Sequence, residues 1–72
     1  MKYKIRIDTA KEAQKLVNIT SKIDGKVTIS DGTGLCVNAK SVMGVLYTME
    51  FDELWLESEK EIYSEIMDFI ME

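Results

Sequence analysis

Two hydroxyl residues stand where helices are expected to begin. Thr9 opens Thr9-Ala10-Lys11-Glu12, and Ser41 lies within Lys40-Ser41-Val42-Met43-Gly44-Val45. A hydroxyl at a helix start accepts hydrogen bonds from amides that lack partners inside the helix. It is also a phosphoryl acceptor. A phosphate there adds roughly −1.5 to −2 charges near neutral pH, which the positive end of a helix tolerates. Lys40 is adjacent to Ser41 and is a candidate charge partner. The remaining chemistry is sparse. With no His and one Cys, the chain cannot form a Cys/His nucleophile pair, an ordinary zinc site or an internal disulfide. Cys36 reads as a packing residue or a site of adventitious oxidation. Asp31-Gly32-Thr33-Gly34 lacks both the glycine spacing and the following helix of a phosphate-binding loop. No pair of carboxylates has a spacing that argues for acid–base catalysis. No enzyme activity, cofactor or metal is therefore expected.

These residues must be held by a small fold. Seventy-two residues form one domain, residues 1–72, with a thin core. Hydrophobic residues at 46% and charged residues at 31% match an ordinary folded domain rather than a disordered chain. No apolar run approaches the length of a membrane span, and no apolar stretch follows a basic N-terminus. The expected location is the cytoplasm, with no membrane partner. A net charge of −4 argues against a general nucleic-acid binder. Residues 1–40 carry eight bases against four acids, whereas residues 41–72 carry one base against nine acids. Such a split either steers a partner or draws elements of one fold together.

The elements can be read from periodicity. Tyr3, Ile5 and Ile7 alternate with Lys2, Lys4 and Arg6, the period of a half-buried strand. Thr9-x-x-Glu12 is a capping box, and Ala13, Leu16, Val17, Thr20 and Ile23 continue at helical spacing, predicting a helix over residues 10–23. Asp24-Gly25 should end it. Strands led by Val27 and Ile29, then by Leu35 and Val37, flank a glycine-containing turn and read as a hairpin. A short apolar helix over residues 42–49 follows, then an alternating strand over residues 53–57. Ser58-Glu59-Lys60-Glu61 reads as a second capping box. It leads into a final helix with Ile62, Ile66, Phe69 and Ile70 on its buried side. Alternation throughout favours an antiparallel sheet with helices on one face. Trp55 then falls outward beside Glu53 and Glu57. If the first and last strands pair, it lies near Lys4 or Arg6, within cation–π reach. It is either a dimer or partner patch on the open face, or a cover over Lys and Arg stems.

The segment Lys40-Ser41-Val42-Met43-Gly44-Val45 resembles the regulatory-serine region of the HPr family, phosphocarriers of the bacterial sugar phosphotransferase system. Ser21-Lys22-Ile23-Asp24 and Val37-Asn38-Ala39 occupy matching places, and the element order is that of the family. The resemblance implies an α+β, open-faced β-sandwich of order βαββαβα. Its four-stranded antiparallel sheet carries three helices on one face, with the first and fourth strands adjacent. It also implies that Val42, Met43 and Leu46, with Lys40, dock partners. The run from Val42 to Leu46 independently holds more apolar residues than one face of a short helix can bury.

The family carries phosphate on a His at the start of the first helix, and here that His is missing. Thr9 stands at its position, Lys11 at that of the following Arg and Glu12 at that of a Pro, in a shorter loop. A phospho-Thr is a stable ester and cannot replace a transferable phosphoramidate, so Thr9 and Lys11 mark a degenerate carrier site. In these two features the chain resembles the catabolite-repression members, which lack the His and keep the Ser. That resemblance implies phosphorylation of Ser41 by HPr kinase/phosphorylase and binding to a carbon-catabolite transcription regulator. The expected protein is a non-catalytic regulator, monomeric or weakly dimeric. The alternatives are a binding module with no phosphorylation and an atypical phosphocarrier.

Overall fold

The computed structural model describes residues 1–71. Its elements are β1 (Lys2–Ile5), α1 (Ala10–Thr20), β2 (Val27–Ser30), β3 (Cys36–Asn38), α2 (Val42–Tyr47), β4 (Leu54–Ser58) and α3 (Tyr63–Ile66). Single 3₁₀ turns at Thr48–Glu50 and Met67–Phe69 extend α2 and α3. The four strands form one antiparallel sheet in the order β1-β4-β2-β3. The fold is the α+β open-faced sandwich of order βαββαβα that the resemblance implies, with β1 and β4 adjacent.

Alternation sorts the strands into two faces. Ile5, Val27, Ile29, Leu54 and Leu56 are buried and meet Ala13, Leu16 and Val17 of α1, Val45 of α2 and Ile66 of α3 in one core. The opposite face carries two cross-strand rows. One runs Lys4, Trp55, Ser30, Cys36 and the other Lys2, Glu57, Thr28, Asn38. The Nζ atoms of Lys2 and Lys4 lie 5.3 and 5.6 Å from the Trp55 ring centroid. Lys4 thus meets Trp55 as the pairing of the strands requires. Arg6 does not, because its guanidinium binds Asp8 at 2.9 Å instead. That ion pair also raises the Arg6 pKa.

The strands shift by one or two residues, and all three helices depart from their expected bounds. Helix α1 stops at Thr20, although apolar spacing continues to Ile23. The amides of Lys22 and Ile23 bond to the carbonyls of Ile19 and Thr20, so the chain tightens into i→i−3 turns while Ile23 still packs on the core. Helix α2 ends at Tyr47 rather than Met49, and the 3₁₀ turn takes up the remainder. The largest correction concerns the final helix. Ser58 does not cap it. Ser58 is the last residue of β4, its backbone exchanges bonds with Met1, and its hydroxyl accepts from the Lys60 amide. Glu59 turns away to accept from the Lys26 amide, and Glu61 accepts from the Tyr63 amide. Helix α3 therefore begins only at Tyr63. Ile62, Ile66 and Phe69 are nonetheless buried, and Ile70 is partly buried against them.

The chain past α3 returns to the sheet. The Arg6 amide donates to the Phe69 carbonyl and the Met71 amide to the Lys4 carbonyl, both at 2.9 Å, and Ile5 bridges to Ile70. These bonds cover the outer edge of β1. Tyr3 ties the same region together. Its hydroxyl donates to Glu61 and accepts from the Ile62 amide at 3.0 Å. Burial and the neighbouring Glu61 carboxylate push its phenol above its ordinary pKa.

Thr20 is fully buried, and its hydroxyl lies 2.7 Å from the Ala39 carbonyl and 3.2 Å from that of Val17. This single side chain links the end of α1 to the approach to α2. Thr20→Val keeps the shape and removes the donor. It should cost about 1–3 kcal/mol, the penalty for a buried polar group left unpaired, read as a lower urea midpoint with unchanged slope.

Candidate functional site

The first candidate, the start of α1, is a structural cap. Thr9 Oγ1 accepts from the Glu12 amide at 3.1 Å. The Glu12 carboxylate accepts from the Asp8 amide at 3.0 Å, one residue before the usual partner in a capping box. Thr9, which the resemblance would place at a degenerate carrier site, thus caps the helix, and Lys11 is exposed on its first turn. Beside this turn lies an open hollow of about 380 Å³, lined in part by Lys4, Arg6, Asp8, Glu53 and Met71. Both of its bases are already paired, Lys4 with Glu53 at 3.4 Å and Arg6 with Asp8, and Asp52 adds a further carboxylate to the lining. Nothing there supplies a nucleophile with a base. Among the described residues no cluster of three metal-ligating side chains occurs. No helix among them is long and apolar enough to cross a membrane.

The second candidate is the start of α2. Ser41 is its N-cap, with extended backbone, and its Oγ accepts from the Gly44 amide at 3.2 Å. The residue is half-buried rather than sealed in the core. Its own amide donates to the Asn38 carbonyl at 3.1 Å, so the chain leaves β3 and enters α2 through a closed turn. Gly44 makes this closeness feasible. A Cβ at that position would lie 3.1 Å from the Asn38 carbonyl oxygen, tighter than ordinary contact. No acidic residue lies in the first turn of α2, which leaves its amides free of a competing carboxylate.

Lys40, expected as a charge partner for a phosphate on Ser41, donates its Nζ to the Ile23 carbonyl at 2.5 Å, pinning the turn after α1 to the start of α2. The reach spans seventeen positions of sequence, so local spacing could not reveal it. Lys40 is a tether in this arrangement.

The apolar side of α2 is largely uncovered. Only Val45 is buried. Val42 is 37% exposed, Met43 81% and Leu46 38%, so the three sequence-derived docking residues all reach the surface. Tyr47 and Met49 extend this surface beyond the residues expected from sequence. Tyr47 is braced edge-to-face by Phe51, ring centroids 5.5 Å apart. The signal was present in the composition. A six-residue helix with five large apolar side chains can turn only part of them inward. The result is an adaptable apolar strip whose first turn is capped by a hydroxyl.

No protein-family model, curated protein or solved structure matches the chain.

Proposed function

We propose that this chain is a non-catalytic, HPr-like regulatory or interaction protein of the sugar phosphotransferase system. In this reading it docks partner proteins through Val42, Met43 and Leu46 and is switched by phosphorylation at Ser41. The exposed apolar strip of α2, beginning at a half-buried hydroxyl cap, is the observation that carries it. A monomeric soluble domain normally has little reason to leave such residues grouped on one short helix, and Met suits a surface that meets varied partners. Thr9 cannot serve as a transferable carrier, because its phosphate would be a stable ester.

The switch works by local electrostatics. Transfer of the ATP γ-phosphoryl forms a bond from Ser41 Oγ to phosphorus, releases ADP and sends the hydroxyl proton to solvent. The dianion then sits at the amide end of α2, directly beside Val42 and Met43. It alters the charge of the docking strip without entering the core. The partners implied are HPr kinase/phosphorylase and a carbon-catabolite transcription regulator.

The test is a pair of labelling reactions. ATP with the kinase should give acid-stable phosphate in the intact protein and none in Ser41→Ala. Acid-labile phosphate formed from phosphoenolpyruvate and the first enzyme of the phosphotransferase pathway would indicate an atypical carrier and overturn the reading. Absence of both labels would leave a binding module that uses the same strip without modification, the second reading that the exposure of Met43 supports.

A further inference from the structure

The sheet has two edges with opposite treatment. The outer edge of β1 is covered by the Phe69–Met71 segment. The outer edge of β3 pairs with no strand among the described residues. Its polarity follows from the ladder. Ala39 donates to Val27 and Asp31 to Leu35, while Val37 lies opposite Ile29. Alternation in an antiparallel pair then turns the amides and carbonyls of Cys36 and Asn38 away from β2. The Asn38 carbonyl is already satisfied by the Ser41 amide, which confirms that direction and closes the edge at that end. The free portion therefore centres on Cys36.

We propose that this edge pairs with the same edge of a second copy, antiparallel about a two-fold axis through Cys36, to form a continuous eight-stranded sheet. Three features specify another copy of this chain as the occupant. First, a strand paired with itself about Cys36 matches that residue's amide to its partner's carbonyl, and the reverse, so both orphan groups are satisfied at once. Second, the same register sets Leu35 opposite Val37 of the partner copy. Leu35 is 43% exposed and Val37 is half-buried, both on the helix-bearing face, so each covers an apolar neighbour. Third, the charges are compatible. The hairpin has a basic end at Lys26 and Lys40 and a turn with Asp31 at the other. Antiparallel pairing lays the basic end of one copy along the acidic turn of the other. Hydrogen bonds from the Thr33 amide and hydroxyl hold the Asp31 carboxyl below the usual range and keep it charged.

The contact is short, so the dimer should be weak, with dissociation in the high-micromolar range at the low end of specific interfaces. Nothing in it depends on Ser41 phosphorylation. Cys36 serves as a reporter at the axis, where its side chain would meet its own copy at a separation suited to a disulfide. Diamide supplies the oxidant for trapping. Two thiols lose their protons and two electrons to the azo bond, giving one disulfide and a hydrazine.

The test is sedimentation equilibrium of the full chain in reductant up to about 1 mM, a range that reports dissociation constants of this weakness. It uses the parent chain, Cys36→Ser and Leu35→Lys. Leu35→Lys replaces an exposed side chain and brings an ammonium and its symmetry mate to the junction, so the fold should persist. The expected result is reversible dimerisation of the parent and Cys36→Ser, weakened at least tenfold in Leu35→Lys. Rapid diamide cross-linking of the parent should slow by a similar factor in the same variant. A parent that stays monomeric throughout would overturn the proposal. So would a dimer unaffected by Leu35→Lys while circular dichroism shows that variant folded.

Discussion

Leu56→Ala should destabilise the protein by about 2–5 kcal/mol and lower its urea midpoint accordingly. Leu56 is fully buried in β4, the strand that pairs with Tyr3 of β1 on one side and Ile29 of β2 on the other. Removing the side chain deletes contacts and leaves a cavity that neighbouring strands cannot collapse into without breaking register. Such changes cost about 2–5 kcal/mol in other cores. A domain of this size has roughly 4–11 kcal/mol to lose, taking about 0.05–0.15 kcal/mol per residue. One substitution at the sheet's centre therefore removes a large share of the whole. Urea unfolding followed by Trp55 fluorescence reports it directly, because the indole sits on the neighbouring position of the same strand. A midpoint within 0.5 M of the parent's, at the usual slope of roughly 1 kcal/mol/M or more, would mean that β4 is not the keystone described.

The second large effect is functional. Met43→Ser should cut the kinase's kcat/KM for Ser41 at least tenfold while leaving stability within about 0.5 kcal/mol, since Met43 is 81% exposed. An apolar anchor at the centre of an interface contributes about 2 kcal/mol or more to binding, and loss of that much corresponds to roughly thirtyfold. The change should appear in KM, because the proposed docking sets Met43 against the partner and not against the reacting hydroxyl. Ser was chosen as the replacement to avoid adding charge beside Ser41. An unchanged KM would remove the α2 strip from the docking role and leave Ser41 to be recognised in some other way.

Much of this arrangement was legible because it is local. Period-two alternation at Tyr3–Ile5 and Leu54–Leu56 gives the inward and outward faces, and Thr9-x-x-Glu12 marks the start of α1 to the residue. The adjacency of β1 and β4 came only from the resemblance of element order, since nothing in either strand names its neighbour. The final helix was misread because Ser58 has two suitors. A capping box asks it to open a helix, whereas Val27 and Met1 ask it to finish a strand, and the sheet prevails. The tether made by Lys40 was not legible for a related reason. Its ammonium reaches a carbonyl supplied by a distant turn, and only the folded chain brings that acceptor near. At the candidate site, the exposure of Met43 followed from an excess of apolar residues. The contribution of Tyr47 did not, because its brace by Phe51 is set by the 3₁₀ turn between them.

The sheet order carries a kinetic consequence. The central strand between β1 and β2 is the last of the four to be synthesised. Until residues 54–58 leave the ribosome, β1 and the β2–β3 hairpin are separate pieces with no shared ladder, and most apolar side chains of both lack cover. Non-local pairing of this kind is slow relative to local helix and hairpin formation. This part of the nascent chain must therefore remain uncommitted until residues 54–58 are made, and then zip shut around one late-arriving strand.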